Sequence, residues 1–283
     1  ITIFTFRNNK NERELSEMPL LGTSHPTRLK YIDNVSVSNN SFKITISLKN
    51  AKTLQKNVKI IFTSAGNPAQ FIPQLKEKGC IVVHVVASVK HALKAQHVGA
   101  DAIVAEGFEA GGHNGIDEIT TLALVPQVVD VISIPVIAAG GIADGRGMLA
   151  AFALGAEAVQ VGTRFAATIE SSAHPRYKQA IIEAHDNSTL LTLKKVTPVR
   201  MIKNPFALKI DAEEKMGKSK EELLELLGHK REMKGIFEGD WEEGELEMGQ
   251  SSGLVKNILP AADVVKNMIA EFESAKKKIS LLY

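Results

Sequence analysis

One cysteine, Cys80, stands in 283 residues, so no intrachain disulfide can form, and a structural zinc site would have to rely on histidine and carboxylate alone. Such sparing use of cysteine fits a reducing, cytoplasmic setting. Charge of one sign is also missing. With 34 basic against 32 acidic side chains the net charge is +2, which offers no basic face to a phosphate backbone, so nucleic acid is not an expected partner. No apolar run approaches the roughly 20 residues of a membrane helix, and the amino end, which begins at Ile1, lacks the charged, apolar and small-residue order of a signal. No membrane partner is expected. Histidine pairs at helical spacing, a Walker loop, a nucleophile elbow and a dinucleotide fingerprint in strand context are absent too, which removes support for metal hydrolysis and serine chemistry.

What is present is a globular composition, 44% hydrophobic and 23% charged, sufficient for a sizeable core. Five short β-branched runs end on small residues and are followed by helix-like segments: Val58–Ser64, Ile81–Ser88, Ala102–Gly107, Pro135–Gly141 and Ala158–Phe165. Near-continuous apolar runs are how parallel strands covered on both faces read, and their spacing predicts a TIM-type (β/α)8 barrel of the α/β class. Helices are expected over Ser88–Val98, Leu122–Val131, Gly145–Leu154, Asp211–Lys234 and Ala261–Lys278. The barrel is assigned to residues 1–205, a helical lid or insertion to 206–253, and a final helix packing back on the barrel to 254–283. If the five runs are strands four to eight, three more units must fit into residues 1–57. There Ile1–Phe6, Asn34–Val37 and Phe42–Leu48 could be strands, but Gly22 is the one glycine, and this stretch reads as irregular or diverged.

The chemistry concentrates at the strand ends. Ala138-Ala139-Gly140-Gly141-Ile142-Ala143-Asp144-Gly145 is a strand that ends in two glycines and opens a helix, a pattern that lets backbone amides approach a phosphate beside a helix amino end. Gln160-Val161-Gly162-Thr163-Arg164 repeats it at the next strand end. Glycines of this kind also serve plain βα turns; two consecutive loops favour the cradle. Between them, Glu106 closes a strand and Glu109-Ala110-Gly111-Gly112-His113-Asn114-Gly115 follows. His113 is the histidine on a glycine-rich loop at a strand's carboxyl end, where a barrel keeps proton-transfer groups. His84 and His174 read as packing or capping residues, and His91, His97, His185 and His229 as solvated.

These residues, with Thr63-Ser64-Ala65-Gly66-Asn67-Pro68, Glu170-Ser171-Ser172-Ala173-His174 and Met248-Gly249-Gln250-Ser251-Ser252-Gly253-Leu254-Val255, resemble the FMN barrel family of enoyl-acyl-carrier-protein reductase II and nitronate monooxygenase (2-nitropropane dioxygenase). The resemblance covers about residues 58–205 and resumes at 248. It implies FMN, held by Glu106, Gly111, Gly112, Gly140, Gly141, Gln160, Val161, Gly162, Thr163 and Gln250, no metal, and His113 as the catalytic residue. It implies either reduction of enoyl-acyl-carrier-protein thioesters with NADH or NADPH in fatty acid synthesis, or oxidation of a small alkyl nitronate with oxygen. The run Glu109–Gly115 and the Glu-rich carboxyl-terminal extension look more like the reductase branch. Partners would be acyl carrier protein or the nitronate, and a second copy of the chain in a homodimer. Two other readings stay open: a barrel acting on a phosphorylated metabolite, and a flavin-deficient inactive homologue. The second rests on residues 1–57, where the glycine-ended strands implied for the first half of the flavin pocket are not recognisable.

Overall fold

The computed structural model describes residues 2–6, 15–19, 45–46, 60–64 and 66–281. Its elements in chain order are β1 (Thr2–Phe6), β2 (Leu15–Pro19), β3 (Thr45–Ile46), β4 (Ile60–Thr63), α1 (Ile72–Glu77), β5 (Ile81–Val86), α2 (Val89–His97), β6 (Ala102–Glu106), β7 (Gly112–His113), α3 (Thr121–Val129), β8 (Val136–Ala139), α4 (Gly145–Ala153) and β9 (Ala158–Val161). They continue with α5 (Thr163–Ala166), α6 (Pro175–Ile182), β10 (Thr189–Thr192), β11 (Val199–Ile202), α7 (Pro205–Lys215), α8 (Lys220–Leu227) and α9 (Ala261–Ser280).

The five expected runs are the five consecutive parallel strands β4, β5, β6, β8 and β9 of a curled sheet, the (β/α)8-type architecture read from the sequence. All four residues of β8 and of β9 are buried, which is why alternation is absent there: both faces of a parallel strand meet apolar side chains. The last run ends earlier than its apolar pattern, because Thr163–Ala166 turns into helix α5. β3 extends the parallel sheet beside β4. At the other edge β1 is a strand, as expected, but it runs antiparallel to β9 and pairs with β2 as a hairpin, so it is no βα-repeat strand. Asn34–Val37 and most of residues 1–57 lie outside the described residues.

A second layer was not foreseen. β10, β11 and β7 form a three-stranded antiparallel sheet, stitched to the barrel by Arg200, whose Nε donates to the Phe108 carbonyl at 3.0 Å and whose guanidinium stacks on the Phe108 ring. The short, mixed stretches TLLT and VRMI carry too weak a pattern to be read as strands by themselves. The expected helix Asp211–Lys234 breaks at Gly217 (φ +97°) and Ser219, whose capping box with Glu222 starts α8. Its charge-rich sequence still hides an apolar face: Ile210 and Leu223 are fully buried against Leu193, Val199 and Met201.

The final helix α9 packs Val264, Val265, Met268 and Phe272 into the main core. Gly145 makes this possible, because a Cβ there would lie 2.1 Å from the Phe272 nitrogen and 2.4 Å from the Met268 oxygen. Neither is a flexible side-chain end. Gly145→Ala should therefore push α9 off α4 at a cost of about 3 kcal/mol, a fall of roughly 6–12 °C in melting temperature for a chain of this size. An unchanged thermal midpoint would show that the helix seat tolerates a methyl group.

Candidate active site

A cavity of about 270 Å³ opens at the carboxyl ends of β6, β8 and β9, where strand-end loops of a parallel barrel gather. Glu106, Gly111, Gly140, Gly141, Gln160, Gly162 and Thr163 all line it, so seven of the residues singled out in the sequence are brought together. Gly140 (φ +91°) and Gly141 (φ +72°) hold a left-handed turn that side-chain-bearing residues avoid. Among the described residues the amides of Gly140, Gly141 and Gly162 donate to no other group. Thr121 braces this turn, its hydroxyl 3.0 Å from both the Gly140 oxygen and Glu109 Oε2, while Glu109 accepts the Thr121 amide at 2.9 Å. An ideal Cβ on Gly162 would meet nothing within 4 Å. Unpaired amides beside open space form a ready anion cradle, since buried backbone donors normally find partners.

One expected contribution is missing. The amino end of α4 does not add its partial charge to the cradle: Asp144 accepts the Arg146 and Gly147 amides at 2.9 and 3.1 Å, and Glu271 accepts the Gly145 amide at 3.0 Å. Two carboxylates already satisfy that helix end, so of the two features read from the sequence only the glycine turn keeps amides without a partner among the described residues.

The other walls come from segments the motifs did not single out. Lys178, almost fully buried, donates to the Thr168 and Ser171 carbonyls, each at 2.7 Å, which fixes the loop that places Ser171, Ser172 and Ala173 on the cavity. Ile236 and Phe237 approach from a π-helical turn, and Glu247, Gly249 and Ser251 from the late glycine-rich segment. That segment is tied down by the Gln250 amide donating to the Glu109 carbonyl at 2.9 Å and the Gly249 amide donating to Thr163 Oγ1 at 3.0 Å. Gly111 must be glycine because a Cβ would sit 2.5 Å from the Met248 carbonyl carbon. No residue-spacing rule could have linked Tyr177 or Glu247 to β9; these groups meet because α6 and the late segment fold back over the strand ends.

Four sequence-nominated residues are placed elsewhere. Val161 is 1% exposed and belongs to the core, turned away by the alternation of the strand. Gln250 points its side chain to solvent, and the cavity takes its neighbour Ser251. Gly112 (φ +81°) lies under the Glu247 carboxylate, 3.1 Å from where its Cβ would stand. His113 does not line the first cavity. It lines a second one of about 250 Å³, together with Glu232, Glu245 and aliphatic residues of α8 and β11, and its Nδ1 lies 3.7 Å from Glu247 Oε1. Partial desolvation lowers its pKa, and the Glu232 carboxylate works in the opposite direction. The remaining histidines behave as read: His84 is buried with Nδ1 2.8 Å from Thr63 Oγ1, and desolvation takes its pKa down to about 4. His174 caps α6 by accepting the Arg176 amide at 3.1 Å, and His91, His97, His185 and His229 are exposed. Among the described residues no group of three potential ligands could hold a metal, and no helix is long and apolar enough to cross a membrane.

Carboxylates dominate the electrostatics. Desolvation and the Glu247 charge raise Glu106 to about 7, desolvation and Glu232 raise Glu247 to about 7, and desolvation followed by Glu247 and Glu232 raises Glu245 to about 8. The ordinary glutamate value is 4.5. The folded chain thus binds these protons more tightly than the unfolded chain between about pH 4.5 and 8. Their stabilising effect is complete below 4.5 and is lost as pH rises through 7 to 8. Thermal midpoints should fall from pH 5 to pH 8.5. Glu245, 5% exposed, should account for on the order of 3 kcal/mol of that loss, and Glu245→Gln should flatten the curve. An unaltered slope in that variant would contradict the burial cost assigned to Glu245.

The residues fit a phosphorylated, ribityl-bearing cofactor. The cradle offers unpaired amides, and Gln160, 7% exposed on the cavity wall, has an Oε1 without a partner among the described residues, a buried acceptor that a ligand hydroxyl would satisfy. The sequence profile of the family described as nitronate monooxygenase matches residues 25–271. A probable nitronate monooxygenase of Staphylococcus aureus is 43% identical over 148 residues, 49% of this chain and 42% of that protein. One from Staphylococcus saprophyticus is 40% identical over 182 residues, covering 60% and 50%. The chain thus spans about half the length of the curated relatives it matches. Among solved structures, FabK from Thermotoga maritima superposes with a TM-score of 0.79 at 40% identity, covering 86% of this chain and 80% of that one. Nitroalkane oxidase from Streptomyces ansochromogenes gives 0.68 at 29% identity, covering 81% and 68%. Both are TIM barrels, and FMN dependence is general in this group. A profile match across most of the chain, together with the shared barrel, establishes that the chain belongs to the nitronate monooxygenase family.

Proposed function

We propose that this chain is an FMN-dependent oxidoreductase that reduces enoyl-acyl-carrier-protein thioesters with NADH or NADPH. The observation that carries the flavin part is the cradle: Gly140, Gly141 and Gly162 line the cavity with amides that have no partner among the described residues, beside a Gln160 Oε1 that has none among them either. The glycine amides would hold the FMN phosphate, with the Thr163 hydroxyl as a further donor, and Glu106 and Gln160 would bind the ribityl chain and ring edge. Bound FMN would supply the two-electron hydride chemistry that no side chain here can perform. Support for the reductase over other family chemistries comes from the likeness to FabK, an enoyl-acyl-carrier-protein reductase II, over a larger share of both chains and at higher identity than to nitroalkane oxidase.

His113 and the neighbouring carboxyls handle the proton that must accompany hydride addition to the double bond. The loop Ser171–Ala173 and Phe237 narrow the cavity and help exclude water from it. A second reading, oxidation of alkyl nitronates with oxygen, is supported by the printed family description and the curated relatives.

The test is direct. Purified protein, reconstituted with FMN if necessary, should be yellow, bleach anaerobically on addition of NADH or NADPH, and recover its colour anaerobically with a crotonyl thioester. Recovery only with oxygen, together with turnover of propyl nitronate, would replace the first reading by the second. Protein that stays colourless after reconstitution would refute both.

A further inference from the structure

Two cavities lie side by side, and one side-chain contact bridges the wall between them. Glu247 lines the first cavity, His113 the second, and their side chains meet at 3.7 Å. Both positions are set by the same strand. His113 pairs with Val199 of β11, and Glu247 forms an antiparallel bridge to Met201 of β11. The Tyr177 hydroxyl donates to the Glu247 carbonyl and fixes it from the α6 side. A Cβ at residue 112 would stand 3.1 Å from the carboxylate, so glycine there leaves the Glu247 head room against β7. The imidazole itself is 68% exposed and can exchange protons with water.

We propose that Glu247 is a proton-relay residue of this site, carrying protons between the first cavity and His113, so that His113 acts through Glu247 and need not touch the reacting atoms. This rests on the reductase reading above. Hydride addition to the β-carbon of an enoyl thioester, with its two electrons drawn from the reduced nicotinamide, breaks the C=C π bond and leaves the electron pair on the α-carbon. The Glu247 O–H bond then breaks and a C–H bond forms at that carbon. Rotation of the exposed imidazole closes the 3.7 Å gap to hydrogen-bond distance, the carboxylate left behind takes a proton from the His113 imidazolium, and the imidazole is recharged from water. Protons and electrons balance: one hydride and one proton enter the substrate.

The surroundings suit the task. Glu106 faces Glu247 from the end of β6, and Glu232 and Glu245 face it from the side of the second cavity. Arg231 and Lys230 line that second cavity with them, and Arg231 is engaged by the Leu227 and Glu243 carbonyls at 2.9 and 2.8 Å. Desolvation, and then the Glu232 charge, let Glu247 hold its proton to about pH 7, while desolvation lowers the His113 pKa, so a proton on the imidazole passes downhill to a Glu247 carboxylate.

The experiment uses the full chain labelled with 15N-histidine, with and without added FMN. In the parent, the His113 ring signals should titrate in two steps, the second reporting Glu247; in Glu247→Gln they should follow a single step. Glu247→Gln should keep its flavin spectrum, lose roughly 10–100-fold in crotonyl-thioester turnover, and shift the alkaline limb of the pH–rate profile, with Glu247→Asp recovering part of the loss. Identical His113 titration curves and pH–rate profiles in parent and variant would overturn the relay. Should Glu247→Gln fail to fold, His113→Gln serves in its place: the infrared band of the protonated Glu247 carboxyl must then titrate at a different pH from the parent, and an unmoved band overturns the proposal. The flavin-free titrations are read whether or not the enzyme reduces enoyl thioesters, so loss of the reductase reading and loss of the relay give different results.

Discussion

Gly162→Val should abolish flavin retention while leaving the fold intact. Its φ of −101° is open to any residue, and among the described residues a Cβ there meets no atom within 4 Å, so valine costs the polypeptide little. The branched side chain would instead occupy the open side of the cradle and hold a phosphate away from the amides. Losing two hydrogen bonds to a charged group, at about 1.5–3 kcal/mol each, weakens FMN binding by about 10²–10⁴-fold, a tenfold change being about 1.4 kcal/mol. The check is FMN content and titrated affinity beside a melting curve. Gly140→Val is the less informative variant: at φ +91°, with its Cβ 2.6 Å from the Gly107 oxygen, it would disturb the turn as well as the ligand. A Gly162→Val protein that binds FMN like the parent removes the cradle assignment.

His113→Ala should damage turnover far more than structure. The side chain is largely exposed and makes no contact with the cradle, so the variant should fold and stay yellow. Turnover of a crotonyl thioester should fall by about 10²-fold, the lower end of the range for a general acid or base, because the carboxyl of Glu247 remains to serve the cavity at a slower recharging rate. Stopped-flow reduction of the flavin by NAD(P)H should change much less, since hydride transfer from a nicotinamide takes no proton from this residue. A parent-like rate in the steady state, with both the crotonyl thioester and propyl nitronate, would reduce His113 to a loop residue.

The second cavity bears on how the carboxyl-terminal segment is understood. A charge-rich helical stretch over 211–234 reads as a lid on the active site, yet α8 and the residues after it cover the cavity that holds His113. No residue of 211–234 lines the first cavity; Ile236 and Phe237, just beyond it, do. A lid role over the flavin pocket would therefore fall to Phe237 and its neighbours, and limited proteolysis with and without flavin and substrate should show protection there before it shows any within α8.

The sequence by itself determined the parallel strands and the cradle, because both are local. Short β-branched runs ending on small residues, repeated at the spacing of βα units, read as parallel strands covered on both faces, and the conformational freedom that Gly140 and Gly141 need is written in the residue type. It singled out His113 as a loop histidine at a strand end, whereas the structure sets that residue in β7, lining the second cavity. It could not tell that Val161 turns inward while Gln160 faces the cavity, since phase along a fully apolar strand is invisible without neighbours on each face. Nor could it foresee that α4 carries its own carboxylate caps, one of them Glu271, 126 positions away. Only the tertiary structure brought Glu247 beside His113, since the two are joined through β11, and the three-stranded sheet that aligns them has no signal in local pattern. Long-range pairing of short, mixed segments is decided by packing free energy summed over the whole molecule, and that sum is not contained in any one stretch of chain.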